Sequence, residues 1–147
     1  MRDILFRAKA KDTKAWIEGY YARESNHPCF ANELKYTHFI FKDEFMDWGI
    51  GGLVWYEVIP ETVGQYTGLT DKNGKRIFEG DIVSFKRINV LGYTTSRIGD
   101  VKYYDELPIF YIMATTGDVW DWVECEDIEV IGNIHDNPEL IGGADNA

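Results

Sequence analysis

Residues 63–83 read VGQYTGLTDKNGKRIFEGDIV, and the pair Asn73-Gly74 within them constrains the fold more than any other local signal. Asn tolerates positive φ and Gly adopts it freely, so the pair suits a two-residue type I′ hairpin turn. On that reading residues 67–72 pair with residues 75–78. Glu79-Gly80-Asp81 makes a second turn, and residues 82–88 continue as a strand. Asn73, Gly74, Gly80 and Asp81 are therefore structural turn residues, with Asp81 placed to accept hydrogen bonds from turn amides.

The same punctuation runs along the chain. Residues 4–10 and 15–22 read as a hairpin around Asp12-Thr13-Lys14, since Trp16, Glu18 and Tyr20 alternate with Ile17, Gly19 and Tyr21. Residues 23–33, with Ser25, Asn26 and Pro28, read as a loop. The aromatic and β-branched run 34–42 is a strand. Residues 43–52 fit a short helix ending at glycines, or a loop. Residues 53–59 are a strand that Pro60, lacking an amide hydrogen, ends. Residues 92–99 form a polar connection, and 101–104, 109–115, 119–123 and 128–134 are short strands. Residues 136–139 fit a helical turn capped by Asn137 with Pro138 first, and 141–147 a frayed tail. Turn signals at roughly 8–12-residue spacing predict an all-β sandwich or barrel with short helical turns.

A chain of 147 residues suffices for one domain, or a small domain with a subdomain. At this length folding hides roughly 70% of the open chain's surface. Five Trp and nine Tyr belong to an ordered chain. Cys29 and Cys125 lie far apart with no C-x-x-C spacing, which fits two reduced, buried thiols in a cytosolic protein; a disulfide between them stays open. No apolar run approaches the ~18 residues that cross a bilayer, and Ile4 to Phe6 is too short for a signal-peptide core. The expected setting is soluble and intracellular, with no membrane partner.

Net charge is −10, unevenly spread. Residues 103–147 hold eleven acids and no Lys or Arg, whereas residues 72–102 carry seven basic residues against three acids. The two stretches can neutralise one another in the fold; alternatively the acidic one forms a face that attracts a basic partner.

Several blocks resemble the YopX family of phage and prophage proteins. They are Ile4-Leu5-Phe6-Arg7-Ala8 with Trp16-Ile17-Glu18-Gly19-Tyr20; Pro60 through Leu69; Asp71-Lys72-Asn73-Gly74-Lys75; Ile77 through Val83; and Val130 through Leu140. They span about half the chain. The resemblance implies an all-β fold whose later part is an SH3-type small barrel, preceded by an N-terminal β subdomain. The expected division is 1–66 for the hairpin and strand subdomain, 67–140 for the barrel and 141–147 for the tail. It also implies residence in a bacterial cytoplasm, and it carries over no catalytic or ligand-binding residue. Gly68, Gly74, Gly80 and Gly132 suit turns or bulges, and Ile77, Val83, Ile131 and Ile134 suit a barrel core.

Chemistry-bearing patterns are weak. His27-Pro28-Cys29 is the one close pairing of soft ligands, short of the four a structural zinc needs. Asp71-Lys72-Asn73-Gly74 places its glycine too early for a calcium loop. No G-x-S-x-G or phosphate-loop pattern occurs, and Glu124 and Glu126 beside Cys125 disfavour its thiolate. The carboxylates Asp118, Asp121, Glu124 and Glu126 fit a solvated face. We therefore expect no cofactor, no metal and no catalytic residue. The leading expectation is a non-enzymatic phage accessory protein that binds another protein or itself, with Trp48, Trp120 and Trp122 as candidate contact residues or else as core. The alternative is a nucleic-acid-binding small barrel using Lys72, Lys75, Arg76, Lys86 and Arg87, opposed by the overall charge. An enzyme and a DNA mimic rank below these.

Overall fold

The structure is a computed structural model and describes residues 3–26, 35–45, 49 and 51–142. The chain divides into two compact units, Met1–Gln65 and Tyr66–Ala147. Every regular element among the described residues is a strand or a single 3₁₀ turn. The chain is all-β.

The first unit is an antiparallel meander of β1 (Phe6–Lys9), β2 (Trp16–Asn26), β3 (Lys35–Phe45) and β4 (Gly51–Glu57), each paired with the next. The expected opening hairpin is β1 and β2, turned at residues 11–13 with Lys14 at φ 61. β2 and β3 both outrun their expected ends. Residues 23–26, read above as loop, pair with His38, Thr37, Tyr36 and Lys35. A continuous partner strand outweighs the turn preference of Ser25 and Asn26, and Arg23 stacks its guanidinium 4.3 Å over Tyr36. Asp43, Glu44 and Phe45 likewise extend β3 against Leu53, Gly52 and Gly51 instead of turning helical. The Tyr56 hydroxyl donates to Glu44 across this pair at 2.7 Å. A 3₁₀ turn, Pro60–Thr62, follows β4. There the Thr62 hydroxyl accepts from the Lys9 amide and donates to the Ile59 carbonyl, tying the turn to β1.

β5 (Gly64–Thr70) spans the division: Gly64 and Gln65 pair with β1, and its later residues pair with β6 (Arg76–Phe78). The hairpin between β5 and β6 exists, but its turn is not type I′. Gly74 alone has positive φ, at 81°. The buried Asp71 carboxylate accepts the amides of Asn73 and Lys75, both at 2.9 Å, and the Gly74 amide bonds the Asp71 carbonyl. This is a type I turn closed by a left-handed glycine, selected by the Asp71 side chain.

The second unit is built on a five-stranded antiparallel sheet, ordered β10-β9-β8-β7-β11. Its strands are β7 (Asp81–Ile88), β8 (Thr94–Tyr104), β9 (Ile109–Ala114), β10 (Val119–Trp120) and β11 (Glu126–Asn133). Residues 94–99, expected as connection, are strand because all of them pair with β7. The run expected at 119–123 stops at Trp120 and turns through a 3₁₀ segment, Trp122–Glu124. β10 and β11 lie at opposite edges of the sheet, so among the described residues no closed barrel is formed.

Alternation places Ile77, Val83, Phe85, Val101, Ile112, Ala114, Trp120 and Cys125 in one buried cluster. Ile77 and Val83 are core, as expected, whereas Ile131 is 37% exposed and Ile134 only half-buried. The register of β11 shifts between Glu126 and Glu129 and again between Val130 and Gly132, which turns Ile131 outward. At Gly132 a Cβ would meet the Asn137 side chain at 2.6 Å, so a larger residue there has to push that side chain aside. That turn, Pro138–Ile141, has no side-chain cap; Asn137 instead accepts from the Asn133 amide. The turn residues behave as expected at Asp81, whose carboxylate accepts the Phe78 amide at 2.8 Å.

Candidate interaction face

In the first unit the pleat separates two unlike faces. Ala8, Ile40 and Val58 are buried on one side, with Phe6, Ile17, Tyr21 and Val63 packed against them. On this side the Tyr21 hydroxyl meets His38 Nδ1 at 2.6 Å. Cross-strand pairs Tyr20↔Phe41, Ala22↔Phe39, Phe41↔Trp55 and Asp43↔Leu53 set those residues on the opposite side. That side stays in solvent: Trp55 is 63% and Phe45 83% exposed, and Tyr20 and Leu53 are more than half exposed. Phe39 and Phe41 lie side by side with ring centroids 6.3 Å apart. Together with Trp55, Ala22, Arg23 and Glu24 they line a shallow hollow of about 460 Å³.

Contiguous apolar surface of this kind gains free energy when water is removed from it. The sequence carried a signal for it. In residues 35–45 both alternation sets, Phe39/Phe41 and His38/Ile40, are apolar or aromatic, as in a strand meant to be covered on both sides.

The model of the YopX protein family matches residues 5–142. The chain belongs to the YopX family. The crystal structure of protein EF1440 from Enterococcus faecalis is similar, with 25% sequence identity and a TM-score of 0.55. That similarity covers 96% of this chain and 99% of that one. No curated protein matches the chain.

The residues singled out from sequence fall in separate places in this YopX-family chain. Trp48 lies outside the described residues, as do His27 and Cys29. Trp120 is 8% exposed and belongs to the core cluster. Trp122 is half-buried against that cluster, and its Nε1 donates to the Phe110 carbonyl at 2.8 Å. Trp120 and Trp122 therefore build the second unit's interior, and among the described residues Trp55 is the exposed tryptophan.

Two of the basic residues are engaged by the acid-rich segment. Lys72 pairs with Glu129 at 2.8 Å and Lys86 with Asp127 at 3.0 Å, so the two oppositely charged stretches meet across β11. The hydrogen bond and charge of Glu129 push the Lys72 ammonium above its ordinary value. Arg76 lies 5.8 Å over Tyr66, Arg87 lies 4.2 Å over Trp120, and Lys75 is exposed beside Asp71.

Two titrating groups have a clear physical setting. Burial pushes the Asp71 carboxyl up, but amide bonds from Val130, Lys75 and Asn73, with the Lys75 charge, outweigh it and hold the group low. The Cys125 thiol is pushed up to about 11, first by burial and then by Glu124 and Asp121. Such a thiol is a core residue at neutral pH. Among the described residues no three His, Cys, Asp or Glu side chains gather as metal ligands, and no helix is long and apolar enough to cross a membrane.

Proposed function

We propose that this YopX-family chain is a non-enzymatic accessory protein of phage or prophage origin, working in the bacterial cytoplasm by binding another protein or a second copy of itself. The single observation that carries the reading is the two-faced sheet of the first unit. One face is spent on that unit's core, and the other presents Tyr20, Phe45, Leu53 and Trp55 to water. Rigid aromatic groups on a β scaffold supply contact area with little loss of side-chain freedom, which is why Trp and Tyr dominate interface centres. The second unit supplies the frame, and we read it as SH3-type. Support for this comes from β11, which returns to β7 after a single 3₁₀ turn.

The nucleic-acid reading is weaker. Two of its five basic residues, Lys72 and Lys86, already hold carboxylates, and affinity for phosphate backbones depends on free cations.

Sedimentation velocity of the wild type and of a Phe41→Ser/Trp55→Ser double variant, paired with capture from host lysate, tests the proposal. We expect either concentration-dependent self-association or a specific captured protein, lost in the double variant. A wild type that sediments as a monomer and returns the same lysate profile as the variant would refute it.

A further inference from the structure

The core face of the second unit's sheet ends in a cationic corner that its own packing does not explain. Phe85 pairs with Arg97 and Arg87 with Thr95, and paired residues share a face, so Arg87 and Arg97 are diagonal neighbours on the side that carries Phe85. Trp120, paired with Ile112, projects onto the same side from β10. The guanidinium of Arg87 lies 4.2 Å from the centre of the Trp120 ring, so the curved sheet brings β7 and the edge strand β10 together at this corner.

Two donors here are buried and donate to nothing: Nε of Arg97 and Nε1 of Trp120. The chain has 25 acidic against 15 basic residues, and Lys72, Lys86 and Lys102 of the same unit each hold a carboxylate. Yet no ion pair joins a carboxylate to Arg87 or Arg97 among the described residues. Buried donors are costly without acceptors, and a buried charge more so. An acid-rich chain that leaves two adjacent arginines unclaimed has kept them for an outside anion. Exposure grades inward, from exposed Arg87 through half-buried Arg97 to buried Trp120, so an anion can enter from solvent.

We propose that Arg87, Arg97 and Trp120 form a binding site for a phosphate group. Two guanidinium groups and an indole N–H come from three strands, β7, β8 and β10, on one side of the sheet, a donor set that suits a tetrahedral anion with more than two acceptor oxygens better than a flat carboxylate. The phosphate can be free inorganic phosphate or the phosphate of a nucleoside monophosphate.

Calorimetric titration and thermal unfolding of the full chain, with inorganic phosphate, with AMP and with acetate against chloride of equal ionic strength, separate these cases. We expect saturable phosphate binding that raises the melting temperature beyond the chloride control. Tighter AMP binding identifies a nucleotide, and equal binding identifies the free anion. Arg97→Met weakens binding by about tenfold or more. Without phosphate it melts at or above the wild type, since a buried Nε donor with no acceptor has been removed. Trp120→Phe keeps the ring and weakens binding several-fold. The Trp120 indole proton, followed by NMR in the wild type and assigned by its absence in Trp120→Phe, shifts on phosphate addition. This readout stands even if the Arg97 variant does not fold. Absence of saturable binding to phosphate and AMP, equal binding of acetate, an unmoved indole proton, or an Arg97→Met protein that keeps the phosphate response would overturn the proposal.

Discussion

The two units build their fully buried cores from different side chains. In the second unit Phe78, Phe85 and Trp120 are buried, and the larger of the two core clusters forms there. In the first unit the fully buried cluster members are Ala8, Ile40 and Val58, while Tyr20, Phe45 and Trp55 face water. The second unit buries these three rings, while Tyr93 at 68% and Leu107 at 55% stand exposed at its turns. The first holds comparable side chains on a paired, regular sheet where they contribute little to folding, which is the arrangement expected of a surface kept for a partner. The polar groups do not divide in this way: the second unit anchors its hairpin through a buried carboxylate, yet both units carry exposed ion pairs, Lys11–Glu57 in the first and Lys86–Asp127 in the second.

Substitutions in the two units should therefore separate stability from binding. The largest effect is expected at Phe85, 1% exposed, where Phe85→Ala should cost about 3–5 kcal/mol in chemical denaturation. Asp71→Asn should cost about 2 kcal/mol, because an amide nitrogen can face a donor at one of three backbone amides the carboxylate now serves.

The Asp71 substitution also carries a pH signature. The folded carboxyl titrates below its unfolded value, so its stabilisation is complete above about pH 4 and is lost as pH falls through the folded value. The gap between wild type and Asp71→Asn should therefore narrow on acidification below that point; a gap constant with pH would show that charge plays no part.

Gly74→Ala should cost about 1 kcal/mol, since the Cβ meets nothing within 4 Å and only the positive φ opposes it. Asn89→Asp should change stability by no more than about 0.5 kcal/mol. Asn89 closes the β7–β8 hairpin with the same pattern, accepting the amides of Leu91 and Tyr93 on one oxygen, but its loop is exposed. A large loss at Asn89 would contradict the contrast drawn between the two hairpins.

Much of the fold was legible because the β signals are local. The opening hairpin, the β5–β6 hairpin, and strands near 82–88, 101–104, 109–115 and 128–134 follow from alternation and turn residues. What the sequence hid depends on partners distant in the chain. Arg23 to Asn26 looks like loop until β3 lies beside it, and Thr94 to Gly99 looks like a linker until β7 does. The turn type at Asn73-Gly74 was hidden because a carboxylate two residues earlier overrode the pair's own preference. Ile131 looked like core because a bulge is invisible in an apolar run. For the site, the presence of five tryptophans was plain, but not which of them faces water. Trp55 is set outward by its pairing with Phe41, 14 residues away in sequence. Of the two alternatives for the acid-rich third, Lys72–Glu129 and Lys86–Asp127 are points where it meets the basic segment.

Site-specific photo-crosslinking tests the central claim most directly. A photoreactive phenylalanine analogue in place of Trp55 is compared with the same analogue in place of Glu61, an exposed position in the 3₁₀ turn after β4. The account predicts a discrete protein adduct, with a second copy or with a host protein, at position 55, abolished by Phe41→Ser while thermal stability stays within about 0.5 kcal/mol of wild type. Equal, diffuse labelling at both positions, or none at position 55, would contradict it.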